Sequence, residues 1–287
     1  MKIRIGTRKS KLAIAQTEMV INEIKRNFPD AQTVTVYITT SGDKILDKPL
    51  TEIGGKGIFV SEIENALLDG SIDIAVHSAK DLPISLARGL AITGVLKRGD
   101  CRDALITNRG AGISTQAPFT AGTSSARRRT ELSKLYPNVI HADIRGNVDT
   151  RLNKLADGRY DAIVLAMAGL KRLSLENDER FDIIPFEYDS FLPAPCQGII
   201  AIETRADDRI VPIIKAVTDS ETWLCYETER AVIKALNADC TVPLGAYSYI
   251  EDGKIRLRIS KCGEKTVSGE AAAADRLELA RELIECL

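Results

Sequence analysis

Ala66–Leu82 reads ALLDGSIDIAVHSAKDL, and Lys154–Leu170 reads KLADGRYDAIVLAMAGL. Laid over one another without a gap, they match at Asp69/Asp157, Gly70/Gly158, Asp73/Asp161, Val76/Val164 and Leu82/Leu170. Each stretch reads as a helix end, a stop at glycine and then a buried apolar strand. Upstream the echo continues. IRIGTRKS (Ile3–Ser10) and FTAGTSSARR (Phe119–Arg128) each set a short strand ending in Gly-Thr before a helix. The chain therefore reads as two similar α/β lobes and an internal duplication. Recurrence of ordinary helix–turn–strand chemistry is the alternative source of the match.

Around the first copy, KIRIGT (Lys2–Thr7) and TVTVYIT (Thr33–Thr39) read as strands, the second rich in β-branched residues. Between them, Ser10–Phe28 has helical spacing of Leu12, Ala15, Met19 and Ile24, with Ser10 as a candidate cap. SEIENALLDG (Ser61–Gly70) is a further helix. This alternation predicts a parallel sheet covered on both faces. The last segment differs. Glu227–Ala238 reads as a helix, and three strands follow at Leu244–Ile250, Lys254–Ser260 and Lys265–Ala271. Glu251-Asp252-Gly253 is a hairpin signal between the first two, and Asp275–Leu287 is an amphipathic helix. A small antiparallel α+β domain is expected there.

The chain has 287 residues, with 39 Lys and Arg against 40 Asp and Glu, so no global basic field would attract nucleic acid. No apolar run approaches a membrane span. The first ten residues hold no apolar core of a secretory signal. The six cysteines contain no CxxC pair and there are two histidines, so neither a metal site nor a disulfide framework is expected. These features predict a cytoplasmic protein.

Against that balanced charge, Arg127, Arg128 and Arg129 stand side by side after Gly122-Thr123-Ser124-Ser125. A turn of this kind opening a helix presents backbone N–H groups and the positive end of the helix dipole to an anion. Arginine forks suit carboxylate or phosphate. Successive helical residues diverge by about 100°, so two of the three are expected at a site and Arg129 on the surface. A charged, solvated helix is the plainer reading. Arg8, Arg145, Arg151, Lys171 and Arg172 occupy similar loop or helix-start positions. In open α/β folds ligands sit at the carboxyl ends of strands. Several separated arginines there fit a ligand with several anionic groups.

Lys80 and Asp81 follow a buried strand, where catalytic groups often sit, although Asp before Leu-Pro also suits a simple turn. Cys240 lies in a loop between helix and strand. It reads either as an inert small residue or as a nucleophile raised in reactivity by cations. Gly54–Phe59, GGKGIF, is a glycine-rich turn that lacks the full phosphate-loop pattern, and a lid is an alternative to a plain loop.

In this order, IGTRKSKLA, GGKGIFVSEIE, DIAVHSAKDLP, GTSSARRR, RGNVDTRL, DAIVLAMAGLKRL, LPAPCQG and DCTVPLGAY resemble the hydroxymethylbilane synthase (porphobilinogen deaminase) family over nearly the whole chain. The resemblance implies two lobes like those of periplasmic binding proteins and a small C-terminal domain with a three-stranded antiparallel sheet. By position the domains are 1–96 with 198–215, then 97–197, then 216–287. It implies a cytoplasmic monomer that joins four porphobilinogen molecules on a dipyrromethane cofactor. The cofactor is attached by a thioether to the loop cysteine, which is Cys240 by motif. Asp81 is the implied catalytic carboxylate, steadying the cation left when ammonia departs. Lys80, Asp81, Thr123, Ser124, Ser125, Arg127, Arg128, Arg145 and Gly146 are the implied cofactor-binding residues. Arg8, Ser10, Phe59, Arg145, Arg151, Arg172 and Gln197 are the implied substrate-binding residues. No metal is implied.

Four residues depart from the family pattern. Pro195-Cys196 stands where Val-Gly is common, Asp239 where glycine precedes the cofactor cysteine, and Ala79 where Met is common. A two-lobed binding protein without catalysis would share the lobes and arginines, but would not need Cys240 or the third domain.

Overall fold

The computed structural model describes residues 1–40, 61–238, 242–261 and 265–287. In chain order, the first elements are β1 (Lys2–Thr7), α1 (Lys11–Asn27), β2 (Gln32–Tyr37), α2 (Ser61–Leu68), β3 (Ile74–Ser78) and β4 (Leu90–Val95). Then come β5 (Asp103–Asn108), β6 (Phe119–Gly122), α3 (Ala126–Leu135), β7 (Val139–Ala142), α4 (Val148–Ala156), β8 (Ala162–Ala166), α5 (Met167–Arg172) and β9 (Phe181–Pro185). The last are β10 (Ile200–Arg205), α6 (Val211–Ala216), α7 (Ser220–Ala235), β11 (Leu244–Glu251), β12 (Lys254–Lys261), β13 (Lys265–Ala272) and α8 (Arg276–Glu285). The chain divides into two compact units, Met1–Arg98 with Ile199–Trp223, and Gly99–Gly198 with Leu224–Leu287.

The first unit holds a five-stranded sheet in the order β2-β1-β3-β10-β4, and the second holds one in the order β7-β6-β8-β5-β9. Matching β1, β2, β3, β4 and β10 to β6, β7, β8, β9 and β5 makes the two orders identical. The sheets are mixed, not parallel as expected. β10 runs antiparallel to β3 and β4, and β5 antiparallel to β8 and β9. Strand–helix alternation reads only local crossover units. β5 precedes and β10 follows the crossover units of its own sheet, so no covering helix constrains its direction.

The matched residues do matched work. The Asp73 carboxylate accepts the Arg4 N–H at 2.7 Å, and that of Asp161 accepts the Thr120 N–H at 2.7 Å. Two residues on from each, Gly6 and Gly122 let the next strand approach closely. A Cβ on Gly6 would stand 2.3 Å from Ile72 Cδ1, and one on Gly122 would stand 3.0 Å from Tyr160 Cδ1. Ile72 and Tyr160 are themselves partners in the gapless overlay.

Each sheet is covered on both faces. In the first, Ile3, Ile5, Ile74, Ile200 and Ile202 pack with Val20 and Ile24 of α1 and Ile214 of α6. Ile72, Ala75 and Leu90 pack with Ile63 and Leu67 of α2 on the other face. In the second, Ile106, Ile163 and Leu165 meet Leu152 and Leu155 of α4, while Leu105, Val164 and Phe119 meet Leu132 of α3. Burying each such side chain contributes about 1.5–3 kcal/mol.

Two helices differ from expectation. The buried stripe of α1 is Gln16, Thr17, Val20 and Ile24, and Met19 is exposed. The polar Gln16 displaces the apolar stripe because its amide is bonded to Ser78 Oγ at 2.8 Å. α7 begins at Ser220, seven residues before the expected start. Asp219 caps it, its carboxylate accepting the Thr222 N–H at 2.9 Å.

The third sheet, β11-β12-β13, is antiparallel. Asp252 and Gly253 have φ of 51° and 74°, which suits a two-residue hairpin turn between Glu251 and Lys254. Along β12, Ile255, Leu257 and Ile259 are fully buried while Arg256 and Arg258 lie on the opposite face.

Candidate functional site

In the first unit β1 and β3 are parallel, so their carboxyl ends share one sheet edge. Arg8 and Ser10 follow β1, and Lys80 and Asp81 follow β3 in a single 3₁₀ turn, Ala79–Asp81. Ser10 caps α1, its hydroxyl accepting the Ala13 N–H at 3.3 Å. Arg8 and Lys80 are half-buried and Asp81 is exposed. The turn is anchored from behind, with the Ala79 N–H donating to the Ile199 carbonyl at 3.0 Å. An ionised carboxylate held on such an edge can accept an N–H and oppose a developing positive charge.

In the second unit β6, β7 and β8 are parallel and end on one edge. Thr123, Ser124 and Ser125 make the turn from β6 into α3. Thr123 Oγ1 accepts the Ser125 N–H at 3.2 Å, and Ser125 Oγ accepts the Arg128 N–H at 3.4 Å. The Ser124 hydroxyl donates to the Ile144 carbonyl at 3.1 Å and accepts the Ile144 N–H at 3.2 Å. That exchange ties the turn to Arg145 and Gly146, which follow β7. Gly146 has φ 111°, and a Cβ there would stand 2.7 Å from Thr150 Cγ2. Its carbonyl accepts Arg151 Nε at 2.8 Å. Thr123, Ser124, Ser125, Arg145, Gly146 and Arg151 therefore belong to one local assembly.

Arg127 and Arg128 are 4% and 7% exposed, and both guanidiniums meet Asp103 at the start of β5. Consecutive helical residues thus converge after all, because one buried carboxylate lies between them. Arg129 lies at the surface as expected, its side chain 36% exposed, and folds back over the turn. Its Nε donates to the Thr123 carbonyl at 3.0 Å and its Nη2 to Asp143 at 2.9 Å.

Arg172 closes α5 after β8. Its Nη2 donates to the Gly198 carbonyl at 2.6 Å, and burial pushes its guanidinium down to about 10. Beside it, Lys171 and Arg102 both bind Asp100, at 2.9 and 2.8 Å. Burial alone would raise the Asp100 carboxyl. The hydrogen bonds from Arg102 and Lys171 outweigh it and hold the group well below the usual range. Gln197 is buried, and its amide donates to the Cys101 carbonyl at 2.8 Å. Cys240, Phe59 and the rest of the glycine-rich turn lie outside the described residues.

Sequence reasoning missed Asp103, and it missed the buried His77 Nε2–Glu203 Oε2 pair at 2.8 Å. A signal existed for both: a carboxylate inside or bordering an apolar run, DALIT and IIAIET. Among the described residues no cluster of His, Cys, Asp and Glu could hold a metal ion, and no helix is long and apolar enough to cross a membrane.

Residues 3–212 match the family described as "Porphobilinogen deaminase, dipyromethane cofactor binding domain", and residues 223–283 match "Porphobilinogen deaminase, C-terminal domain". The porphobilinogen deaminase of Acetivibrio thermocellus is 48% identical over 258 residues, 90% of this chain and 86% of that protein. The porphobilinogen deaminase of Syntrophobacter fumaroxidans is 42% identical over 282 residues, 97% of this chain and 87% of that protein. Among solved structures, the VFT2 domain of Bordetella pertussis BvgS is 14% identical with a TM-score of 0.46, covering 82% of this chain and 92% of that one.

Proposed function

The chain belongs to the porphobilinogen deaminase family, and from that membership we propose how its residues divide the work. It is a transferase of tetrapyrrole biosynthesis, a hydroxymethylbilane synthase. Four porphobilinogen molecules are condensed head to tail on a dipyrromethane primer with loss of ammonia, and hydrolysis then frees the linear hydroxymethylbilane.

In our reading Cys240 carries the dipyrromethane through a thioether. The donor set fits such a group: guanidinium forks, short hydroxyls and a glycine turn are partners for carboxylates, which each pyrrole bears as acetate and propionate. When bound, the cofactor supplies a nucleophilic pyrrole carbon and a tether that makes each coupling effectively intramolecular. Lys80, Thr123, Ser124, Ser125, Arg127, Arg128, Arg145 and Gly146 bind and orient it. Arg8, Ser10, Arg145, Arg151, Arg172 and Gln197 receive the substrate's polar groups, and Phe59 lies beside them as an apolar contact. Asp81 accepts pyrrole N–H groups of the substrate and opposes the positive charge that develops as ammonia leaves. The protein acts as a cytoplasmic monomer without metal, and its domains are 1–96 with 198–215, 97–197, and 216–287.

One observation carries the assignment of an anionic ligand. Arg172 is desolvated, and its partner among the described residues is a carbonyl, not a carboxylate. A half-buried guanidinium whose bonded partner is a neutral carbonyl keeps a charge that an anion can join.

The mass of the denatured protein tests the reading. Wild type should carry a dipyrromethane adduct and Cys240→Ala should carry none. A fully active wild type without the adduct would overturn the attachment.

A further inference from the structure

We infer that Asp103 is a positioning residue for the cofactor's carboxylates, acting through Arg127 and Arg128. The inference rests on the reading above, in which those two arginines bind the dipyrromethane. Asp103 opens β5 and is fully buried. Its Oδ2 accepts Arg127 Nη2 at 2.7 Å, and its Oδ1 accepts Arg128 Nε at 3.0 Å and Nη2 at 2.7 Å. Two main-chain carbonyls complete the frame. Leu192 accepts Arg127 Nη1 at 2.7 Å, and Val164 accepts Arg128 Nη1 at 2.8 Å. Each guanidinium is therefore held on two sides.

Local physics alone would not build this pair. The two side chains leave the helix about 100° apart. They carry positive charge in the first turn of α3, which holds no acidic residue and already presents the positive end of the dipole. The buried carboxylate brings them together and cancels one of the two charges. What remains is a rigid, net-monocationic fork beside the Thr123–Ser125 turn, suited to one carboxylate arm of the ligand.

Two roles for Asp103 predict opposite outcomes when its charge is removed. If it only tempers the positive field, Asp103→Asn leaves two uncompensated cations and anions should bind more tightly. If it positions the fork, the same change frees both guanidiniums and cofactor capture should fail. The test compares wild type, Asp103→Asn and Arg128→Lys by the mass of the denatured protein, by kcat and KM for porphobilinogen, and by thermal melting. Positioning predicts that folded Asp103→Asn carries the dipyrromethane adduct on at most one-tenth as many molecules as wild type. In the loaded fraction, kcat should fall at least tenfold with KM within about twofold. Wild-type occupancy and kcat in a folded Asp103→Asn protein would overturn the inference. Should Asp103→Asn not fold, Arg128→Lys decides. It keeps the charge but loses the fork held by Asp103, so a wild-type adduct level there would overturn the inference as well. A wild type that itself lacks the adduct would instead refute the cofactor assignment on which the inference rests.

Discussion

The carboxylate of Asp73 accepts the main-chain N–H of Arg4 at 2.7 Å, and the Asp73 N–H returns a bond to the Arg4 carbonyl at 2.8 Å. The Arg4 side chain closes on the same carboxylate through Nε at 3.1 Å and Nη2 at 2.7 Å. Asp161 makes the same two main-chain bonds with Thr120, at 2.7 and 3.0 Å, but Thr120 has no guanidinium to add. Asp161→Asn should therefore cost about 1 kcal/mol, and Asp73→Asn should cost more. Urea midpoints measure both. Equal losses would mean that the Arg4 side chain contributes nothing to the tie.

Asp81 is exposed on a short turn anchored through Ala79, so its charge can be removed without opening the core. Asp81→Asn should melt within about 2 °C of wild type while kcat falls by about 10²–10³, the usual scale for losing one group that opposes transition-state charge. Turnover near that of wild type would take Asp81 out of the mechanism.

Acid should expose Asp100. Its folded carboxyl is held low: burial opposes ionisation, but the bonds from Arg102 and Lys171 prevail. A carboxylate with a lowered folded value contributes stability that is fully present above its unfolded value, about 4, and is lost as pH falls through the folded value. Asp73 is lowered in the same direction, its burial being outweighed by the side-chain and main-chain bonds of Arg4. Unfolding free energy should thus drop below about pH 4. Asp100→Asn should be less stable than wild type at pH 7 and show a flatter decline in acid. Denaturation curves at pH 7, 4 and 3 would show whether the slopes differ, and identical slopes would remove Asp100 from the effect.

Cys196 adopts φ 60° while fully buried, a left-handed conformation that costs a residue with a Cβ about 1–2 kcal/mol. Its N–H donates to the buried Glu229, which also accepts the N–H and hydroxyl of Ser248. Cys196→Gly keeps those main-chain bonds and relieves the backbone, but loses the buried sulfur, worth about 1 kcal/mol. The net change should stay within about 1 kcal/mol. Thermal melting decides, and a loss beyond about 2 kcal/mol would mean that the thiol packing outweighs the strain.

Much of the lobes was legible because the repeat encodes local chemistry. An Asp-Gly stop, a β-branched run and a Gly-Thr strand end act over a few residues, and both copies fold accordingly. The two antiparallel strands were not legible, since β5 and β10 look like any apolar run and their direction depends on partners far along the chain. The site divides the same way. Ser10 and Ser125 are caps that sequence can reveal. That Arg127 and Arg128 converge depends on Asp103, more than twenty residues upstream, and no helical wheel contains it. The buried stripe of α1 departs from its apolar spacing for a related reason. Gln16 is buried because Ser78, on a distant strand, bonds its amide.

Arg172 sets stability against use. Its guanidinium is lowered to about 10 by burial, so the folded protein holds a charge it has only partly solvated. A cation whose folded value is lowered penalises the folded state below that value, and the penalty disappears as pH rises past it. Arg172→Met removes the penalty along with one bond to the Gly198 carbonyl. The variant should therefore melt at or above the wild-type temperature near neutral pH, while kcat/KM for porphobilinogen falls at least about 10²-fold, as expected when an anion loses a desolvated, charge-assisted partner. A wild type saturated with porphobilinogen should gain thermal stability, and the variant should gain less. If Arg172→Met melted several degrees lower with kcat/KM preserved, the residue would be a structural tie for Gly198 and its role as an anion receptor would be lost.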